Sequence, residues 1–206
     1  MKTLTLKEWK KDISDNKGKI LLSILFLIIA YLLTVLSGNY VDQTKAVSVP
    51  DLILDHIPVI NLSPIFLYGI WIVIIVFLLY PILYKPKKIY YAVGMLSLFL
   101  CIRAGFLVLT HLKAPVGAIS IPATGILAFL SYSNDLFFSG HTGLPFLGFL
   151  IFDNKKIKYF MLFSSIILAI TSLLMHVHYS IDIASAYFIT YGIYKIGNKI
   201  FLDWKI

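Results

Sequence analysis

The chain alternates long apolar stretches with short polar knots, and the lengths of those stretches constrain it first. Apolar runs occupy residues 20–36, 66–83, 89–111 and 157–175. Each is close to the roughly 17–25 residues with which a helix crosses a bilayer core. Two shorter runs, 143–152 and 183–196, follow the polar knots at 139–142 and 176–182. The pattern predicts an all-α integral membrane protein, a bundle of six transmembrane helices in one domain. The expected layout is a basic segment over residues 1–19, the six-helix membrane domain over 20–197 and a tail over 198–206. No repeat, linker or low-complexity tract marks a second domain. Trp71, Tyr80 and Tyr84 read as packing or interfacial aromatics.

Composition and charge sharpen this. A content of 59% hydrophobic residues excludes an ordinary soluble domain. Lys2, Lys7, Lys10, Lys11, Lys17 and Lys19 precede the first run, and Lys85, Lys87 and Lys88 fill the second connection. Lys155, Lys156 and Lys158 lie in the fourth connection, and Lys195, Lys199 and Lys205 close the chain, whereas the alternate connections hold only Lys45 and Lys113. By the positive-inside rule both termini are expected in the cytoplasm, with His56, His111, His141, His176 and His178 towards the outer side. The net charge of +8 is then a topology signal and not a footprint for nucleic acid. The first run is long for a signal peptide and lacks an A-x-A site before Gly38, so it reads as an uncleaved anchor. The single cysteine, Cys101, forms no intrachain disulfide.

One arginine breaks the lysine pattern. Arg103 lies inside the third long run, where a permanent charge is costly and usually faces a protein interior or a water-filled cavity. Its planar fork of donors matches a phosphate or carboxylate bidentately. On position alone, a snorkelling arginine or one paired with an intramembrane aspartate fits equally well. At about 1.5 Å rise per residue, Arg103 lies on the order of 22 Å beyond Lys88. The same measure puts His141 roughly 18 Å from the inner face and Asp182 about 22 Å above Gly197. Groups from three helices therefore converge on one level, and short fourth and sixth helices would leave a recessed pocket there.

Their chemistry is complementary. His178 and Asp182 are spaced i, i+4 and share one helix face. A carboxylate there orients one imidazole nitrogen and leaves the other lone pair aimed outward, as in an activated nucleophile or base. The same pair could equally serve only to tie helices together. In the run from Asn134 to Gly143, Ser139 and Gly140 open a helix whose free N–H groups form an anion site. His141 is then placed to donate a proton to a departing oxygen. Read blandly, Ser139 is an N-cap and His141 an interfacial polar residue.

Taken together, Ser139-Gly140-His141 and His178-x-x-x-Asp182 resemble two signatures of the type 2 phosphatidic acid phosphatase superfamily. The wider context is similar to its sphingomyelin-synthase-like branch. The matching features are Asp135 before Phe138-Ser139-Gly140-His141-Thr142, and His176-Val177-His178-Tyr179-Ser180-Ile181-Asp182 continuing into Ala186-Tyr187. Arg103, Thr110, Leu112 and Pro115 follow that branch's upstream spacing, and the loop from Pro50 to Pro58 resembles its proline- and aspartate-rich loop. The resemblance implies His178 as nucleophile, forming a phosphohistidine, Asp182 as its orienting partner and His141 as general acid. It implies Arg103, Ser139 and Gly140 as a cradle for phosphoryl oxygens, with Asp135, His176 and Lys113 completing the substrate site.

The implied activity is a phosphatase or phosphotransferase acting on a lipid phosphate or phospholipid head group in the bilayer, without metal or cofactor. Water as acceptor gives hydrolysis, and a lipid alcohol gives head-group transfer of the sphingomyelin-synthase type. Two departures stand out. Leu96 and Ser172 occupy positions where the wider superfamily carries a lysine and an arginine. Fewer cations favour a singly charged phosphodiester over a phosphomonoester dianion, with Lys113 as the remaining compensating charge. Two other classes stay open: a zinc site built from His141, His178, Asp182 and His176 or His111, and a transporter that uses Arg103 and Asp182 as substrate or gating charges.

Overall fold

A computed structural model describes residues 5–120 and 136–201. Among the described residues seven α-helices run in order: α1 Leu6–Asp15, α2 Lys17–Asp42, α3 Ser63–Tyr84, α4 Ile89–Leu109, α5 Gly140–Ile151, α6 Lys155–Leu174 and α7 Ser180–Phe201. Among the described residues there is no strand, only an isolated bridge between Val47 and Leu112. Among the described residues, four helical stretches are long and apolar enough to cross a membrane: Lys17–Asp42, Ser63–Tyr84, Pro86–Leu109 and Lys155–Leu174.

Burial on α2 is inverted relative to a soluble helix. Its buried residues are Ser23, Ala30, Thr34, Ser37, Gly38 and Val41, mostly small, while Leu21, Leu25, Ile28, Leu32 and Leu36 are exposed. Small residues let backbones approach where no hydrophobic force separates a helix from lipid, and α2 packs along α4 through this face. The larger core joins α3, α4, α5, α6 and α7 through Phe77, Tyr90, Met95, Phe99, Leu147, Met161, Leu168 and Ile193.

Two features were not part of the expected layout. The basic N-terminal segment contains α1, started by a reciprocal Thr5–Glu8 capping box. Trp9 docks it by donating from Nε1 to Ile82 O at 2.7 Å, and Asp12 pairs with Lys87 at 3.5 Å. The final helix is not short. It starts at Ser180 and continues through Phe201, 22 residues or about 33 Å. Asp182 and Asn198 interrupt its apolar pattern but not the helix: Asp182 Oδ2 pairs with His178 and Asn198 Oδ1 accepts from Tyr91 Oη, while Asp182 Oδ1 is buried without a partner among the described residues. Of the two helices expected to be short, only α5 is, with 12 residues. At about 18 Å it is too short to cross a roughly 30 Å core alone.

Candidate active site

The site is assembled at the N-terminal ends of α5 and α7. Phe137 adopts a positive φ of 83°, turning the chain abruptly before α5. Neighbouring helices hold this turn. Ser185 Oγ, on α7, lies 2.7 Å from Phe137 O and 3.1 Å from Asp182 O, and Ser139 N–H points at Asp182 O from 3.5 Å. From α4, Arg103 Nε donates to Phe138 O at 3.0 Å. Phe138 itself is buried against Phe99.

The glycine after Ser139 has a specific reason. A Cβ at Gly140 would lie 3.2 Å from Arg103 Nε and 3.6 Å from its Cζ, so the guanidinium rests almost on the backbone. Ser139 occupies the N-cap position of α5, but its side chain makes no capping bond. Its Oγ is fully buried without a partner among the described residues. The arrangement therefore leaves a hydroxyl, the start of a helix and a guanidinium side by side, the three kinds of group that bind an oxyanion.

His141 follows one residue on. Its ring stacks on Phe66 of α3, with centroids 3.7 Å apart and planes 20° apart, and its Nε2 is buried without a partner among the described residues. It lies within electrostatic reach of both His178 and Arg103. Pro145, one turn later, has no N–H to return to the His141 carbonyl.

His178 sits in the turn between α6 and α7. Its Nδ1 is 3.1 Å from Asp182 Oδ2, which also accepts the Tyr179 N–H at 3.0 Å. Facing a carboxylate, Nδ1 carries the proton and Nε2 keeps its lone pair. Asp182 is fully buried and His178 nearly so. The carboxylate thus fixes both the ring and the backbone beside it, which is more than a helix tie requires.

Other expected residues fall differently. His176 is buried with a positive φ of 53°, and its Nδ1 lies 3.4 Å from Val116 O, so it packs under the segment that follows α4. Lys113 is exposed and makes its described contacts through its backbone: its N–H donates to Val47 O and its carbonyl accepts Tyr179 Oη at 2.8 Å. Asp135 lies outside the described residues. Among the described residues no group of three or more His, Cys, Asp or Glu side chains is arranged to hold a metal ion.

Sequence reasoning assigned no role to Asp51, Tyr179, Ser185 or Phe66 in the site. Tyr179 Oη donates to Lys113 O and accepts Val49 N–H at 3.1 Å, tying the segments that follow α2 and α4 to the His178 turn. Tyr179 beside a histidine and Asp51 beside Pro50 were the available signals, and neither gives a partner.

With this geometry in place, comparison with known proteins is informative in one respect. No curated protein and no solved structure matches the chain. Residues 133–199, which carry Ser139, Gly140, His141, His178 and Asp182, match the family described as PAP2 superfamily C-terminal, and this supports kinship with that superfamily and a phosphoesterase-type activity.

Proposed function

We propose that the chain is a membrane-embedded phosphatase or phosphotransferase of lipid phosphoesters that works through a phosphohistidine on His178. The observation that carries this reading is the junction of α4, α5 and α7. An oriented imidazole with a buried carboxylate behind it shares one site with a guanidinium laid against a helix start. Phosphoryl transfer asks for positioning and charge neutralisation above all, and these residues supply both.

In the first half-reaction the Nε2 lone pair of His178 attacks phosphorus, and the bond from phosphorus to the leaving oxygen breaks. Protonated His141 gives its proton to that oxygen. Arg103, Ser139 Oγ and the first N–H groups of α5 take the charge on the non-bridging oxygens. Asp182 stabilises the charge that grows on the His178 ring. In the second half-reaction an acceptor oxygen attacks the phosphohistidine, His141 takes the acceptor's proton and His178 is released.

The bundle crosses the membrane six times in this reading. Both termini are cytoplasmic and the site faces the other side, as the lysine distribution favours. Arg103 is the one arginine of the chain, and Leu96 and Ser172 add no charge. That balance favours a phosphodiester head group over a phosphomonoester. It leaves head-group transfer of the sphingomyelin-synthase type as the second reading.

The deciding experiment uses purified protein in vesicles that contain phosphatidic acid, phosphatidylcholine and a lipid alcohol, with products identified by mass spectrometry. Release of phosphate or head group supports hydrolysis, and a new phospholipid supports transfer. Solute flux across the vesicle without either product overturns the enzymatic reading.

A further inference from the structure

We propose that Asp51, in the first outer loop, is a positioning residue that holds the His178 turn in its working geometry; the inference rests on the function proposed above. Asp51 is 129 residues from Ser180 in sequence, yet its Oδ2 accepts the Ser180 N–H at 2.7 Å. Its Oδ1 accepts Ile53 N–H at 2.9 Å and Leu54 N–H at 3.1 Å. Ser180 is the first residue of α7, so Asp51 caps that helix from outside it.

Asp182 Oδ2 accepts the preceding amide, Tyr179 N–H, as well as His178 Nδ1. Two carboxylates therefore grip the two consecutive amides that follow His178. One comes from α7 itself and the other from a loop across the molecule. Tyr179 Oη accepts Val49 N–H from the same loop, so the grip is made at two points. Asp51 is buried. Burial works against its charge, but hydrogen bonds from Ser180, Leu54 and Ile53 outweigh it and hold the carboxyl below its ordinary value.

A carboxylate is required because three N–H donors converge on both of its oxygens. An asparagine has one acceptor oxygen and would turn its NH2 towards either Ser180 or the Ile53–Leu54 pair. Asp51→Asn therefore loosens the grip with no change of size. Ser180→Pro removes the same bond from the other side, since proline is tolerated at the first helical position and has no N–H.

The test compares wild type, Asp51→Asn, Ser180→Pro and the double variant, each checked for folding by thermal unfolding in detergent. Misplacing a reacting group by about 1 Å costs on the order of a hundredfold, so each single variant is expected to lose about tenfold or more in kcat, with KM within about twofold. The double variant should be no slower than the slower single. If Asp51→Asn does not fold, Ser180→Pro alone carries the test, because it leaves the loop's own hydrogen bonds in place. A kcat within twofold of wild type, a loss confined to KM, or multiplied losses in the double variant would overturn the proposal. A wild type that turns over no lipid phosphoester would instead sink the functional reading. The positioning claim is then decided by diethyl pyrocarbonate modification of His178, followed by mass spectrometry. The rate should rise severalfold in Asp51→Asn, and an unchanged rate refutes the claim.

Discussion

Replacing Gly140 by alanine adds one methyl group against Arg103, and its effect can be worked from the geometry. The new Cβ would stand 3.2 Å from Nε and 3.6 Å from Cζ, and 3.8 Å from Nη2. Comfortable contacts begin near 3.5 Å, so the guanidinium must withdraw by about 0.3 Å and strain its bond to Phe138 O. Scaling from about a hundredfold per ångström of misplacement gives a loss of roughly three- to tenfold in kcat/KM. That is about 0.7–1.4 kcal/mol of transition-state stabilisation. Stability should not follow. Gly140 opens α5 without a left-handed φ, so alanine restricts the unfolded chain and contributes about 0.4–1 kcal/mol that offsets the crowding. The assay is turnover of a vesicle-borne phospholipid alongside thermal unfolding of the same preparation. Gly192→Ala, where nothing lies within 4 Å of the new methyl, should keep full activity and serves as the control. Full activity in Gly140→Ala, or activity lost only in step with unfolding, would refute the claim that close approach of Arg103 to this backbone matters.

Arg103→Lys keeps the charge but loses the fork and the bond to Phe138 O, so kcat/KM should fall by about ten- to a hundredfold; a twofold effect would mean that charge alone suffices. In a Cys101→Ser background, cysteines at Leu52 and Val116 should react with an impermeant thiol reagent in intact cells, and one at Lys155 should not. The first two positions are 83% and 82% exposed, and labelling at Lys155 alone would invert the topology. Asp51 supplies a pH dependence with a definite sign. Its folded pKa lies below the ordinary 3.8, so its stabilisation is present above about that value and is lost as pH falls through the lower folded pKa. The melting-temperature gap between wild type and Asp51→Asn should therefore shrink between pH 5 and pH 3, and a gap that widens would contradict the hydrogen-bonded carboxylate.

The sequence disclosed the membrane helices through their apolar runs, but their ends depended on features outside those runs. α2 runs to Asp42 through Ser37, Gly38 and Asn39 because small and polar residues can still face α4 or solvent. α1 had a local signal in Thr5 and Glu8, but its amphipathic pattern was masked by lysines that read as a topology marker. α7 looked short because Asp182 and the lysines near its end break the hydropathy pattern, whereas backbone hydrogen bonding does not depend on hydropathy. In the site, the i, i+4 spacing of His178 and Asp182 anticipated their hydrogen bond, and the nearness of Arg103 to Ser139-Gly140 followed from counting helix rise. The cap from Asp51 to Ser180 and the Tyr179 bridge to Val49 and Lys113 join loops distant in sequence. No periodicity encodes such pairings, so they became visible only in three dimensions.

The central claim is that His178 is the attacking nucleophile. It is tested most directly by rapid mixing with a phosphate-labelled lipid substrate, quenching in alkali to preserve an acid-labile phosphohistidine, and mapping the labelled peptide. The account predicts label on His178 in wild type and none in His178→Ala, which should also have lost turnover. In His141→Ala, label should form roughly a hundredfold more slowly, with the deficit shrinking for a nitrophenyl leaving group that needs no proton. Label on another residue, or turnover retained in His178→Ala, would contradict it.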